Sequence, residues 1–367
     1  MHFFAINSTD TDDIDNAYDI SAAQTETFDE AEAILQRLCF TYYPSILLLA
    51  LVTDIVVAVW TIVKNALIFH FKMIRCNWSY WSTRSTAVTN LCRMSDQSIF
   101  VLKWSDAIRQ SLNLSGAKKL AEGAYSEVYV ATLNTQRVIL KVIPFQETDT
   151  PSEHYPLVND EEMASADVIL TEVTVSKALS DLSDGARFNR ALNFVKLHKT
   201  FVFRGNYPKE LLAAWNTYDM NEGCRNTCPT EYDSADRHYI VMALGFGGVD
   251  LESYVLRSYN KAMSILLQVA LALAAAESEF EFEHRDLHWR NILIHEYKVP
   301  EFIKYVVDGE DIRVRSHGVM VVIIDFTNSR IKKNSTIVYK DLNQDEFIFL
   351  GHGDPQYQVY RDMRTIN

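Results

Sequence analysis

Three polar side chains in the second half of the chain have the types and the order that phosphoryl transfer requires. Asp286 lies within the stretch HRDLHWRN at residues 284–291, Asn291 ends that stretch, and Asp325 follows a later apolar run. A carboxylate in the position of Asp286 could accept the proton of a substrate hydroxyl. Asn291 and Asp325 supply oxygen ligands for a metal ion that bridges nucleotide phosphates. The set predicts a kinase-like site, whereas Asp286 taken alone would read as an ordinary turn residue.

A lysine and a glutamate earlier in the chain fit the same chemistry. Lys141 ends the apolar run Val138-Ile139-Leu140, and Glu172 lies on a segment, 168–179, with helical periodicity. Because an unpaired buried ammonium is costly, a lysine inside an apolar strand needs a partner. Strand lysine followed by helix glutamate is the order that phosphate binding in kinases uses. The alternative is two unrelated surface charges.

A short loop precedes the lysine strand. Residues 122–128 read EGAYSEV, with Gly123 as the one glycine where phosphate-covering loops present three. Alone, this loop predicts only a hairpin. Its position before Lys141 favours a nucleotide-covering role.

Secondary-structure signals surround these residues. Strands are predicted over 127–132, 137–143, 239–244, 292–295 and 319–324, and helices over 168–179 and 262–276. The second helix is apolar on nearly every side and is therefore expected to be a buried central helix.

Charge and cysteine content narrow the function classes. The 367-residue chain has a formal net charge of -13, which disfavours direct nucleic-acid binding and is compatible with a basic partner. Taken alone, however, the charge favours general solubility as its explanation. The five cysteines form neither an even disulfide framework nor a zinc-like pair of doublets, which fits a reducing compartment.

The first hundred residues have a different character. Residues 1–43 carry nine Asp or Glu against the single Arg37 and are expected to form an acidic, disordered tail. Residues 44–66 are predicted to form an apolar helix, of which 45–63 could span a membrane with the catalytic region in the cytosol. Asp54 opposes insertion by about 2.5–3.5 kcal/mol, so a buried helix, or sequence outside the mature protein, stays open. Residues 67–99 are expected to be a linker.

From about Trp104 to Arg364 the chain resembles the haspin family of atypical Ser/Thr protein kinases. The resemblance rests on FEHRDLHW at 282–289, FGGVDLE at 246–252, Glu172 with VSKALS at 175–180, IIDFTNSR at 323–330, and Asp354 with Tyr357 and Tyr360-Arg361. In IIDFTNSR, Asp-Phe-Thr at 325–327 replaces the usual Asp-Phe-Gly.

The resemblance implies an α+β, two-lobed protein-kinase-like fold with a small β-rich lobe carrying one regulatory helix and a larger helical lobe. The small lobe and hinge are expected over 100–245 and the larger, shortened lobe over 246–367. It also implies ATP with Mg²⁺, a basic protein substrate, namely a threonine of the histone H3 tail in mitosis, and a nuclear or chromatin location. A membrane location is the alternative.

The resemblance assigns each candidate residue a role. The catalytic set is Asp286, Lys141 and Glu172, and the metal ligands are Asn291 and Asp325. Substrate contacts are expected from Asp250, His288 and Asp354. Nucleotide contacts are expected from Gly123, Ser126, Val128, Lys141, Leu244, Gly247 and Asp250. Two other functions stay open: a pseudokinase that binds a nucleotide or basic partner without catalysis, and a membrane-tethered interaction protein.

Overall fold

The computed structural model describes residues 86–97, 100–147, 157–159, 162–184, 188–345, 347–351, 353 and 355–366. The expected acidic tail at 1–43 and apolar segment at 44–66, with its 45–63 span, lie outside the described residues. The described residues belong to one folded unit. Two lobes meet at a cleft, as the sequence predicts, and Lys141, Glu172 and Asp325 line it.

A five-stranded antiparallel sheet forms the small lobe. Its strands are β1 (Leu112–Glu122), β2 (Glu127–Leu133), β3 (Gln136–Phe145), β4 (Leu197–Arg204) and β5 (His238–Leu244). They are ordered β1-β2-β3-β5-β4. The hairpin between β2 and β3 turns at Asn134, whose φ of 55° lies in the left-handed region that asparagine tolerates. The predicted strands 127–132, 137–143 and 239–244 are thus present, each slightly longer than expected.

Helices pack on both faces of this sheet. They are α1 (Thr86–Met94), α2 (Trp104–Gln110), α3 (Ala166–Asp181) and α4 (Lys209–Glu222). The sequence places α1 in a linker, but the structure shows a helix that contributes to the core, because Val88, Leu91 and Cys92 share one apolar face that is fully buried. Ser165 caps the N-terminus of α3, because its hydroxyl accepts a hydrogen bond from the amide of Val168.

Alternation along β3 determines where the lysine points. Ile139 and Ile143 belong to the apolar cluster that includes α3, whereas Leu140 and Val142 belong to the cluster on the opposite face. Because side chains alternate across a strand, Lys141 lies on the α3 side. The sheet therefore directs the lysine toward the helix that carries Glu172.

The larger lobe is built around α5 (Tyr259–Phe280) and short strands. The strands are β6 (Val249–Asp250), β7 (Ile292–His295), β8 (Phe302–Val307), β9 (Glu310–Arg315), β10 (Met320–Ile323), β11 (Arg330–Lys333) and β12 (Thr336–Tyr339). Two helices, α6 (Phe347–Leu350) and α7 (Pro355–Ile366), follow. Strand β7 pairs with both β6 and β10, while β8 with β9 and β11 with β12 form separate hairpins.

Helix α5 is buried on one face only, which differs from the expected fully buried helix. Ala272, Ala275 and Ala276 are completely buried, while Leu266 is 61% exposed. Within the described part of the chain, α5 is the one helix with the length and apolar composition to cross a membrane, with a mean hydropathy of 1.4. Its buried face packs on β8, β9 and β10. This packing is that of a core helix.

Candidate active site

Lys141 contacts Glu172, the partner that the sequence predicts, and also Asp325, which the sequence assigns only to the metal ion. Its Nζ lies 2.7 Å from Glu172 Oε1 and 3.4 Å from Asp325 Oδ1. The lysine and glutamate are buried, so the pair is shielded from water. One ion-pair network therefore joins β3, α3 and the start of the Asp-Phe-Thr segment.

Charge states follow from this network. Burial lowers the pKa of Lys141, but the carboxylates of Asp325 and Glu172 outweigh it and raise that pKa above its usual value. Burial likewise raises the pKa of Asp325, but the Lys141 ammonium and hydrogen bonds from the Thr327 hydroxyl and amide lower it overall. The lysine stays cationic and Asp325 anionic at neutral pH.

Strand pairing brings the two metal-ligand candidates together. Ile292 of β7 pairs with Ile323 of β10, and the amide of Ile324 donates to the carbonyl of Asn291 at 3.0 Å. Asn291 precedes β7 and Asp325 follows β10, so the antiparallel pairing places them at the same end of the ladder. In sequence, 33 residues separate them. Their proximity is the geometry that the spacing predicts.

Asn291 is tied to the rest of the catalytic loop. Its Nδ2 donates to the carbonyl of Asp286 at 3.0 Å and lies 3.1 Å from His288 Nε2. The His288 ring also lies 3.8 Å from Asp286 Oδ1. Because the amide nitrogen is engaged with the loop, Oδ1 of Asn291 is the atom suited to a cation.

Two buried rings support the loop from below. His284 Nε2 contacts the carbonyl of Ile324 at 3.1 Å, and burial lowers the pKa of His284 to about 4. The ring is therefore neutral, and because a carbonyl only accepts, Nε2 carries the proton. Phe326, 1% exposed, packs edge-on against Phe282 and His284. This packing orients Asp325 toward Lys141.

Backbone strain falls at the two ends of the site. Arg285 and Asp325 have φ values of 64° and 63°, in the left-handed region that non-glycine residues seldom adopt. Such strain costs on the order of 1–3 kcal/mol and concentrates at functional sites. Here it turns the two carboxylate-bearing segments toward the cleft.

The two arginines of the catalytic loop point elsewhere. Arg285 Nε donates to Glu283 at 2.8 Å, and its Nη1 lies 3.5 Å from the carbonyl of Lys340, so it contacts the segment after β12. Arg290 pairs with Glu252 through two hydrogen bonds. Arg290 therefore does not place a positive charge on the metal ligands beside it.

The phosphate-loop candidate is held by residues that the sequence analysis missed. Asn226 Nδ2 lies 3.1 Å from the carbonyl of Gly123, 3.4 Å from that of Ser126 and 2.9 Å from Glu127 Oε1. Asn159 Nδ2 donates to the carbonyl of Ala124 at 2.8 Å. The backbone of 123–126 is thus fixed by two side chains, one 103 residues and the other 35 residues away in sequence. No local signal marks a polar loop residue as such a partner.

A buried lysine lies beneath that loop. Lys119 Nζ lies 2.8 Å from Glu122 and 2.5 Å from Glu127, and 4.9 Å from the ring centroid of Trp215. Two carboxylates share one ammonium, and burial raises the pKa of Glu127 to about 7 although Lys119 opposes the shift. The loop base is therefore an ionic cluster in which Lys119 and Glu127 are buried and Glu122 is partly exposed.

Apolar residues expected at the nucleotide line the cleft. Val128 and Leu244 face it together with Met242, Lys141 and Asp325. A Cβ at Gly247 would lie 2.4 Å from Cδ1 and 3.1 Å from Cβ of the buried Leu293, so a side chain there would force Leu293 to shift. The role of Gly247 is to let the segment after β5 approach β7.

Asp250 does not reach the cleft, which corrects its expected contact with ribose or substrate. It is fully buried, and its Oδ1 accepts a hydrogen bond from the amide of Ser253 at 2.8 Å. Its main-chain carbonyl accepts from Ser253 and Tyr254, so the residue caps the turn after β6. Asp354 lies outside the described residues, and its expected substrate role stays a prediction.

Asn291 and Asp325 fit a magnesium ion by the chemistry of their donors. One amide oxygen and one carboxylate are hard ligands, and Mg²⁺ in nucleotide sites uses one or two carboxylates with phosphates and waters. Among the described residues no group of three or more His, Cys, Asp or Glu could hold a metal alone. The two donors suit a cation that also takes phosphate and water oxygens as ligands.

A five-stranded lobe, a lysine–glutamate pair, and a catalytic loop facing an Asp-Phe-Thr segment define a protein-kinase fold and site. The family model described as the haspin-like kinase domain matches residues 79–367. The chain belongs to this haspin-like kinase family, as the sequence predicts.

Curated relatives agree with this assignment. The chain is 36% identical over 268 residues to the serine/threonine-protein kinase haspin of Bos taurus, covering 72% of this chain and 33% of that protein. It is 34% identical over 259 residues to the haspin homolog of Drosophila melanogaster, covering 69% and 44%. The homolog of Arabidopsis thaliana is 34% identical over 252 residues, covering 68% and 40%. The chain thus spans less than half the length of these relatives.

Proposed function

We propose that the domain transfers the terminal phosphoryl group of ATP to a threonine or serine of a basic protein segment, with the histone H3 tail as the first candidate. The observation that carries the proposal is the assembled network of Lys141, Glu172 and Asp325 beside Asp286 and Asn291. The net charge of -13 supports a basic substrate. The same proposal places the chain at chromatin.

Each residue has a distinct task in this proposal. Lys141 contacts the nucleotide phosphates, and Glu172 fixes the lysine. Asn291 and Asp325 hold Mg²⁺, which neutralises phosphate charge when bound. Asp286 orients the substrate hydroxyl and accepts its proton, and His288 lies beside it on the substrate side. Transfer depends mainly on positioning and charge neutralisation.

Labelled ATP, magnesium and an H3 tail peptide test the proposal against an Asp325→Ala variant. We expect threonine-dependent labelling by the wild type and none above background by the variant. Equal labelling by both proteins would refute the assignment. A pseudokinase, which the single glycine of the 122–128 loop would favour, predicts no labelling but a thermal midpoint raised by ATP and magnesium.

A further inference from the structure

The last described helix reaches the catalytic loop through one tyrosine. Tyr360 of α7 is 3% exposed, and its hydroxyl hydrogen-bonds to the carboxylate of Asp286. Asn328, three residues after Asp325, donates from its Nδ2 to the same hydroxyl at 3.2 Å. Tyr360 therefore contacts the proton acceptor and the segment that follows the metal-ligand aspartate.

The direction of these hydrogen bonds is fixed by chemistry. An amide nitrogen only donates and an ionised carboxylate only accepts, so the hydroxyl accepts from Asn328 and donates to Asp286. Burial, together with the Asp286 carboxylate, keeps the pKa of Tyr360 far above its usual value. The hydroxyl is thus protonated throughout the pH range in which the protein is studied.

The position of this hydroxyl is set by contacts elsewhere on α7. Arg361 Nη1 donates to the carbonyls of Phe349 and Gly351 at 3.2 and 2.8 Å. The Arg364 guanidinium lies 4.5 Å from the ring centroid of Phe349. These contacts hold α7 against the end of α6, so the tyrosine is presented to Asp286 by a tethered helix.

We propose that Tyr360 is a positioning residue for Asp286. Its hydroxyl holds one carboxylate oxygen, which leaves the other oriented for the substrate hydroxyl, and Tyr360 itself contacts neither substrate nor nucleotide. The inference rests on the proposed kinase activity. A positioning role of Tyr360 can be distinguished from a packing role, because packing depends on the aromatic ring and positioning depends on the hydroxyl oxygen.

Tyr360→Phe removes that oxygen and keeps the ring. We expect kcat for peptide phosphorylation to fall about tenfold, which corresponds to about 1.4 kcal/mol, while KM and Kd for ATP stay within about twofold. The thermal midpoint should change little, since hydrogen bonds of this kind contribute modestly to stability. Tyr357→Phe on the same helix is the matched control and should leave kcat unchanged.

Three outcomes would overturn the inference. They are a folded Tyr360→Phe protein with wild-type kcat, an equal loss in Tyr357→Phe, and a loss of kcat that is accompanied by a similar loss of ATP affinity. If Tyr360→Phe does not fold, Asn328→Ala provides the test, because it frees the hydroxyl without altering the ring and should lower kcat several-fold; an unchanged kcat in this variant refutes the role. A wild-type protein that transfers no phosphoryl group refutes the proposed function itself, and the positioning role with it.

Discussion

Asn226→Ala should weaken ATP binding by releasing the loop over the phosphates. The asparagine amide serves two loop carbonyls, of Gly123 and Ser126, and one carboxylate oxygen of Glu127. The carbonyls can regain water when the loop opens, because the loop tip at Ala124 is exposed. Glu127 is 2% exposed, so its carboxyl group cannot gain a water molecule in place of the amide. Losing the hydrogen bond to Glu127 therefore costs more free energy than losing those to the carbonyls.

Two magnitudes follow from this difference. At a pH above the Glu127 pKa of about 7, the carboxyl is ionised. A hydrogen bond to a charged group contributes about 1.5–3 kcal/mol, so the free energy of unfolding should fall there by about that amount, and the thermal midpoint by about 3–12 °C. Reordering the loop on binding costs on the order of the backbone entropy of one residue, about 1–2 kcal/mol, which raises the Kd for ATP about 5–30-fold. The kcat at saturating ATP should be unchanged, since the hydrogen bonds of the Asn226 amide run to the loop and to Glu127.

Calorimetric titration of ATP with magnesium measures the effect. Asn206→Ala is the matched control, because Asn206 Nδ2 donates to the carboxylate of Asp233 at 3.1 Å on an exposed surface. The control should bind ATP like the wild type. A folded Asn226→Ala protein with unchanged Kd, or an equal change in Asn206→Ala, would show that the loop is not held by this amide.

Three further changes test other parts of the structure. Glu172→Gln should lower kcat/KM on the order of 10–150-fold, since the ionic hydrogen bond to Lys141 is lost while Asp325 still contacts the lysine; steady-state kinetics measures this, and a change under twofold contradicts it. Glu127 has a pKa of about 7 in the folded protein against 4.5 for an unperturbed carboxyl, so the folded state binds more protons and stability falls as pH rises between about 4.5 and 7; denaturant titrations should show this slope in the wild type and a flatter one in Glu127→Gln. Gly248→Ala should destabilise the domain by about 3 kcal/mol or more, because φ is 100° and the new Cβ would lie 2.1 Å from the carbonyl oxygen of Ile294; wild-type stability in a thermal melt would refute this.

The sequence was sufficient for the elements that carry chemistry. A lysine within an apolar run must lie on one face of its strand, and alternation alone places it on the side of Ile139 and Ile143. The short runs before Asp325 and after Asn291 are each strand-like, and pairing them predicts the observed ladder. Both the face of β3 that carries the lysine and the pairing of β7 with β10 follow from local residue patterns.

Features that depend on distant side chains were not predictable. Asn226 and Tyr360 act through partners that lie 103 and 74 residues away, and nothing in their own neighbourhood specifies those partners. The prediction for Asp250 was wrong because its position after the hinge suggests exposure, whereas pairing of β6 with β7 buries it completely. Burial of a polar residue is decided by tertiary packing.

The most direct test of the central claim is single-turnover phosphoryl transfer to a threonine peptide by Asp286→Asn at saturating ATP and magnesium. We expect the transfer rate to fall by about 10²–10⁴-fold, because the proton acceptor is lost, while the Kd for ATP stays at the wild-type value. A variant that transfers within a few-fold of the wild-type rate would contradict the role of Asp286 and the catalytic assignment built on it.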